Sequence, residues 1–329
     1  MSSTEPVVWI MFGNRHGDNN QLEAIARALG WRYAIKHLQY NQWRRIRLLR
    51  GPTLLSLTRA AREQIVAPWP DLVIGAGYVS VPVARFIRKQ SGGRTKIVQL
   101  GNPRTSIDDI DLLITTPQYG RPRRANVLPL AFPVGDPARH VDPTVEELAW
   151  VAGIAKPIRL VAVGGATRNW IVDRDQLRTA IETIASKPGS TIIATSARTG
   201  QPLTDWLRRF AARDGIYLVE DFPRFAALLA AADEFAVTAD SVSMVAEAVL
   251  TGRPVGIIPI RKSWRGKLSY GLSDLGLKPR TRIDLTKFWR LLDERGIGGT
   301  VDQPKVSVAV DSAAEVVAAI RTVMGKPPA

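Results

Sequence analysis

Residues 238–259 read TADSVSMVAEAVLTGRPVGIIP, and Ser241, Ser243 and Glu247 are the side chains there whose spacing suits a ligand. The apolar run 235–237 ends in Thr-Ala-Asp-Ser, a helix-start signal, and Gly252 with Pro254 stops the helix before a second apolar run. The segment is strand, helix, strand. The first N–H groups of such a helix have no intrahelical acceptor and sit at the positive dipole end, so its mouth favours an anion. Ser241 and Ser243 bring hydroxyls to that mouth, with Val242 and Met244 between and beside them. Ser243 and Glu247 are four apart and share one helix face. A phosphate at the serines leaves the Glu247 carboxylate one turn deeper, where it can accept hydrogen bonds from sugar hydroxyls; a nucleotide fits that spacing. On the other reading Asp240 caps the helix and Glu247 is solvated, and the spacing alone leaves both open.

The elements that must position these groups recur along the chain. Residues 7–12 form a continuous apolar run, as in a parallel strand buried on both faces, and lead into Gly13-Asn14-Arg15-His16-Gly17-Asp18-Asn19-Asn20-Gln21, with a helix expected from 22 to 29. Glycines at 13 and 17 let the backbone turn beside a ligand, although the loop is neither a dinucleotide fingerprint nor a Walker loop. Residues 71–77 (DLVIGAG, followed by Tyr78, Val79 and Ser80), 96–101 (KIVQLG) and 111–117 (DLLITTP) repeat the strand-to-loop transition. Asp109 and Asp111 resemble a metal-holding pair, but the strand pattern assigns Asp111 to an ordinary acidic lead-in. Prolines at 133, 137, 143 and 157 mark a change in composition. A second series then begins at 159–165 (RLVAVGG), with Gly164, Gly165, Thr167 and Arg168 in its loop. It continues at 191–196 (TIIATS), with Ser196, Arg198 and Thr199 in the next.

Strands alternating with helices, each strand ending in small or polar residues, predict parallel sheets with functional loops at their carboxyl edges. The expected organisation is an N-terminal Rossmann-like domain over 1–135, a linker over 136–157 and a second Rossmann-like domain over 158–300. A final helix within 301–329, apolar on Val316, Val317, Ile320 and Val323, is expected to pack back across the junction.

A formal charge of +15 implies affinity for something anionic. No acidic residue stands between Glu23 and Glu63, whereas Arg27, Arg32, Lys36, Arg44, Arg45, Arg47, Arg50, Arg59 and Arg62 all do. Within residues 41–61, Trp43, Ile46 and Leu49 are three apart with Arg44, Arg47 and Arg50 beside them. As a helix this is an apolar stripe with a basic flank, suited either to an anionic membrane surface or to the core with a solvated basic side. The basic residues are not interleaved with an aromatic stacking platform, which argues against nucleic acid. With no cysteine there are no disulfides, thiolate metal sites or thiol nucleophiles, and His16, His37 and His140 are too scattered for a zinc site. No run approaches the roughly 18 apolar residues of a membrane span, and no basic segment precedes the first apolar run, so a cytoplasmic location is expected.

Specific segments also carry a resemblance. Residues 75–82 (GAGYVSVP) look like the acceptor-side loop of the transferase that adds N-acetylglucosamine to the peptidoglycan lipid precursor. Residues 163–165, 222–233 and 241–254 with Glu247 look like its nucleotide-sugar side. More closely, Gly17 with Asn20-Gln21, PDLVIGAG at 70–77, VQLG at 98–101, TTPQY at 115–119, TSART at 195–199 and DSVSM at 240–244 resemble the mitochondrial fission "elongated mitochondria" (ELM) family over roughly the first 260 residues.

That resemblance implies an α/β chain of two doubly wound Rossmann-like domains facing a cleft, the GT-B type of glycosyltransferase. The donor would be a nucleotide sugar, UDP-linked, held as substrate by Gly164, Gly165, Thr167, Arg168, Ser196, Arg198, Thr199, Ser241, Val242, Ser243, Met244 and Glu247, with no resident cofactor or metal. Asn14, Arg15, Gly17, Asn20, Gln21, Gly77, Tyr78 and Ser80 would receive a lipid-linked or membrane-surface acceptor. Asp18, and after it His16, is the expected base. A noncatalytic adaptor in membrane remodelling is the alternative, and an epimerase is set aside for want of a dinucleotide fingerprint and a Tyr-x-x-x-Lys pair.

Overall fold

The computed structural model describes residues 5–46, 51–121, 124–135, 143–213, 215–277, 283–307 and 312–326. The chain divides into two compact units, Met1–Asp136 with Asp311–Ala329, and Pro137–Val310.

The first unit runs β1 (Val8–Phe12), α1 (His16–Leu29), β2 (Tyr33–His37), α2 (Arg59–Glu63), β3 (Leu72–Ala76), α3 (Val81–Gln90), β4 (Lys96–Leu100), β5 (Leu112–Thr115) and β6 (Val127–Pro129). All neighbouring strands are parallel, in the order β2-β1-β3-β4-β5-β6. Alternate residues point to opposite faces of a strand, and here both faces are covered. Val8, Ile10, Leu72, Ile74, Val98 and Ile114 pack under α1, while Trp9, Met11, Val73, Ile97 and Leu113 pack under α3 and the residues around α2. This two-sided burial is why the strands read as unbroken apolar runs.

The second unit runs α4 (Val145–Ala152), β7 (Ile158–Ala162), β8 (Trp170–Val172), α5 (Arg174–Ala185), β9 (Ser190–Ala194), α6 (Gln201–Phe210), β10 (Ile216–Val219), α7 (Phe225–Ala231), β11 (Glu234–Thr238), α8 (Val242–Leu250), β12 (Val255–Ile258), β13 (Ile260–Lys262), α9 (Trp264–Asp274) and α10 (Leu285–Arg295). Its parallel sheet is ordered β10-β9-β7-β11-β12, and β13 pairs antiparallel with β8 in a separate ribbon. Val161, Ile193, Ala236 and Ile258 bury one face under α5 and α6. The short α4 lies within the span read as a linker. Its Glu147 closes a capping box with Thr144 and receives Arg224 at 2.6 Å, and the Arg224 hydrogen bond lowers that carboxyl to about 2.

The last helix, α11 (Ser312–Val323), belongs to the first unit, where Val316, Val317 and Ile320 are buried in the cluster that includes α1. Two expectations fail here. Residues 42–45 form a single 3-10 turn rather than the start of an amphipathic helix, because Asn41 caps that turn and its amide ties the chain back to the carbonyls of Leu55 and Leu57. Leu49, Arg47 and Arg50 lie outside the described residues. The helix expected from residue 22 begins six residues earlier, at His16.

Asp109 and Asp111 hold the sheet edge together: Asp109 takes both Arg85 nitrogens at 2.6 Å, and Asp111 pairs with Arg88 and Lys96 and accepts the Ile97 N–H at 2.8 Å. Among the described residues, no three His, Asp or Glu side chains come together to hold a metal.

Candidate functional site

In each sheet the chain leaves the first strand in one direction and returns to its other side, so the order reverses between β1 and β3, and between β7 and β11. Open parallel sheets bind ligands in the crevice beyond the carboxyl ends at such a reversal. In the first unit the loops there are 13–15 and 77–80; in the second they are 163–169 and 239–241, with the β9 loop 195–200 alongside.

The second unit's edge is organised by Asp240. Its side chain is 1% exposed. One oxygen accepts the Gly165 N–H at 3.0 Å and lies 3.1 Å from Arg198 Nη2; the other accepts the Thr238 hydroxyl at 2.7 Å. Thr238 in turn accepts the Gly164 N–H at 2.8 Å. Asp240 therefore does not cap α8. The N-cap residue is Ser241, which makes no side-chain capping hydrogen bond. The carboxylate instead anchors Arg198 from below, leaving a half-exposed guanidinium beside the loop edge.

Gly164 and Gly165 are required, but not for the expected reason. A Cβ on Gly164 would stand 2.2 Å from Asp240 Oδ2, and one on Gly165 would stand 1.8 Å from the Arg198 carbonyl oxygen. The close approach they permit is to the protein's own loops. Thr199 also turns inward: its hydroxyl lies 2.7 Å from the Gly164 carbonyl and accepts the Ser196 N–H at 2.9 Å. Ser196 Oγ accepts the Arg198 N–H at 3.3 Å. Thr167 closes a turn with Trp170, and Arg168 is exposed. Ser241 is buried, whereas Val242, Ser243, Met244 and Glu247 are half-buried along α8. The groups left at the surface are thus the α8 mouth with Ser243, Glu247 one turn on, and Arg198 and Arg168 on the neighbouring loops.

At the first unit's edge, Asn19 clasps the β1 loop. Its amide donates to the Gly13 carbonyl and its oxygen accepts the Gly13 N–H, both at 2.9 Å. Propensity alone made residues 16–21 a loop; this clasp lets α1 start at once, and Gln21 follows by donating to the Gly17 carbonyl at 3.2 Å. Asp18 consequently lies in the first turn of α1, and Arg15, the N-cap residue, makes no side-chain cap. Asp18 is 36% exposed and 3.9 Å from Arg15. Burial pushes its carboxyl above the ordinary value, against the lowering pull of Arg15. Tyr119 is also raised, by burial first and then by the Asp18 charge. His16 opens α1, and its side chain lies outside the described residues. Asn14 and Arg15 are exposed and Asn20 is half-buried.

On the β3 side, Gly77 has φ of 71°, a conformation that favours glycine, and its carbonyl accepts Gln99 Nε2 at 2.6 Å. Tyr78 lies under the Arg104 guanidinium at 4.3 Å, and Arg104 itself has a positive φ of 53°. Ser80 must be corrected: it is buried, with its hydroxyl donating to the Ala76 carbonyl at 3.0 Å and meeting Gln99, so it supports the loop and does not face a ligand. Arg104 stood in no segment singled out from the sequence, whereas Asn19, Tyr119 and Asp240 stood within 13–21, 115–119 and 240–244 without the contacts they make here. Asn19 alone carried a local signal, an asparagine six residues after a strand-end glycine.

A family model described as Mitochondrial fission ELM1 matches residues 16–324, well past the point near 260 where the resemblance had been expected to weaken. The mitochondrial fission protein ELM1 of Arabidopsis thaliana is 26% identical over 240 residues, which is 61% of this chain and 54% of that relative. The chain thus spans about half the length of the curated relative it matches. The UDP-GlcNAc 2-epimerase of Methanocaldococcus jannaschii has a TM-score of 0.53 at 15% identity, covering 96% of this chain and 99% of that one. Its complex with UDP-GlcNAc and UDP gives 0.50 at 14%, over 96% and 99%. At such identities the likeness is one of fold, the GT-B type expected. Epimerases share it, so the fold itself does not separate transferase from epimerase.

Proposed function

The chain belongs to the mitochondrial fission ELM1 family, and from that premise we propose that it is a GT-B glycosyltransferase moving a hexosyl or N-acetylhexosaminyl group from a UDP-linked donor to a lipid-linked or membrane-surface acceptor. The observation that carries this reading is the α8 mouth, free of a side-chain cap, at a strand-order reversal with Arg198 anchored beside it by Asp240. There the helix dipole, the free N–H groups and Arg198 would stabilise the charge of the departing diphosphate. Ser243 would add a hydroxyl to the phosphates and Glu247 would accept from the ribose. In the first unit Asp18 would take the proton of the acceptor hydroxyl, with Asn14, Arg15, Asn20 and Tyr78 around it. The fold of the UDP-GlcNAc complex supports the donor class, and the family description favours a second reading, a noncatalytic adaptor at membranes.

One assay distinguishes these. The full chain is incubated with UDP-GlcNAc and a bacterial lipid extract, and UDP, lipid-borne sugar and free epimer are measured together. Transfer predicts UDP and lipid-borne sugar appearing in equal amounts. Appearance of the epimer without UDP would contradict transfer in favour of epimerisation, and no turnover of this or any other nucleotide sugar would favour the adaptor.

A further inference from the structure

The basic segment 261–267 (RKSWRGK), whose charge could border a phosphate site or an acceptor, forms the end of β13 and the start of α9, and α9 has two apolar faces. Gly266 and Tyr270, four apart, face inward: Tyr270 is buried against Trp170 with ring centroids 5.6 Å apart. On the opposite side, at the helical spacing of 3.6 residues per turn, stand Trp264 and Leu268, 70% and 58% exposed. Leu275, the C-cap residue, falls on the same face by that spacing, and Leu277 follows beyond Gly276, each 73% exposed. Arg265 and Lys267, both exposed, lie on either side of this stripe, while Arg261 before it is paired with Asp173 at 2.7 Å.

The helix is fixed to its unit. A Cβ on Gly266 would stand 2.1 Å from the Asn169 carbonyl oxygen. Ser263 caps α9 by accepting the Gly266 N–H and donating to the Arg168 carbonyl, both at 3.0 Å. The stripe is therefore held outward on a rigid mount that shares its backbone contacts with the loop bearing Thr167 and Arg168.

We propose that α9 is an interfacial helix that seats the second unit on an anionic lipid bilayer, with Trp264, Leu268 and Leu275 in the acyl boundary and Arg265 and Lys267 on the headgroups. Charge decides the occupant. An apolar stripe flanked by cations fits a surface that is apolar within and negative at its rim. A second copy of the chain placed stripe to stripe would bring like charges together, because a two-fold interface sets each patch against itself. The helix is far too short to span a bilayer, so it lies in the surface plane. This inference stands apart from sugar transfer and holds whether or not the second unit turns over a nucleotide sugar.

The chain has no cysteine, so Leu268→Cys carries a single environment-sensitive fluorophore on an otherwise native protein. Its emission is expected to shift to the blue with phosphatidylserine-containing phosphatidylcholine vesicles, and not with phosphatidylcholine alone. In vesicle pelleting, Trp264→Ser with Leu268→Ser is expected to weaken partitioning by on the order of tenfold or more, at an unchanged Tm because both side chains are exposed. Arg265→Ala and Lys267→Ala should each weaken it about fivefold. The proposal is overturned if wild type fails to pellet with the anionic vesicles, or if the serine variant pellets as well as wild type. It is equally overturned if the wild type is a dimer without lipid that the serine variant breaks.

Discussion

Asp18→Asn is expected to lower sugar transfer by about a hundred- to ten-thousandfold while leaving nucleotide affinity unchanged, the range set by the contribution of a positioned base. Asp18 is not the helix cap: α1 begins at His16 with Arg15 as its N-cap residue, and Asp18 stands inside its first turn. Asparagine preserves the size and hydrogen-bonding capacity of that position, so a structural role would tolerate it. A base would not. Burial raises the Asp18 carboxyl, which brings its proton affinity nearer to the pH at which an acceptor hydroxyl must be deprotonated. The sign follows directly. The ionised base accumulates as pH rises through the raised value, so kcat/KM of the wild type should climb with pH above the ordinary carboxylate range and then level. The asparagine variant should lack that limb. Retained turnover would remove Asp18 from the mechanism and make His16 the next residue to replace.

Gly165→Ala is expected to destabilise the protein by about 2–4 kcal/mol, more than any exposed substitution at the same edge. The added methyl would fall 1.8 Å from the Arg198 carbonyl oxygen and 2.2 Å from its carbon, backbone atoms that cannot swing aside as a side-chain tip can. Moving them displaces Arg198 and breaks the contact from the Gly165 N–H to Asp240. The variant should therefore lose nucleotide affinity as well as stability. Gly271→Ala supplies the control. Nothing lies within 4 Å of a Cβ at that helical position, so the change should be neutral or stabilising by up to about 1 kcal/mol. Equal denaturation midpoints for the two variants would refute the packing account of the glycine loop.

These cases show where the sequence is legible. Strands such as β1, β3 and β11 could be placed because burial on both faces makes them unbroken apolar runs, and their carboxyl ends locate the loops that matter. The α8 mouth was legible because its signals are local: Ser243 and Glu247 are one turn apart, and Gly252 with Pro254 marks the end. What failed depended on distant partners. The role of Gly164 is set by Asp240 and Thr238, more than seventy residues along the chain. Asp240 looked like a cap because a cap is the nearest use of an aspartate before a helix; its carboxylate instead accepts from Gly165 in the β7 loop and from Thr238 at the end of its own strand. The start of α1 depends on the Asn19 clasp to Gly13, which overrides the poor helix propensity of Gly17 and the asparagines. In α9 an apolar stripe on each of two opposite faces hides the single-sided period by which a surface helix is usually found.

The most direct test is calorimetric titration of UDP into the wild type and Glu247→Ala. The account predicts saturable binding to the wild type, weakened by roughly 1–3 kcal/mol in the variant, as removal of the half-buried carboxylate that accepts charge-assisted hydrogen bonds from the ribose hydroxyls requires. Equal affinity in the two proteins would move the nucleotide away from α8, and the absence of any binding to the folded wild type would contradict the donor site outright.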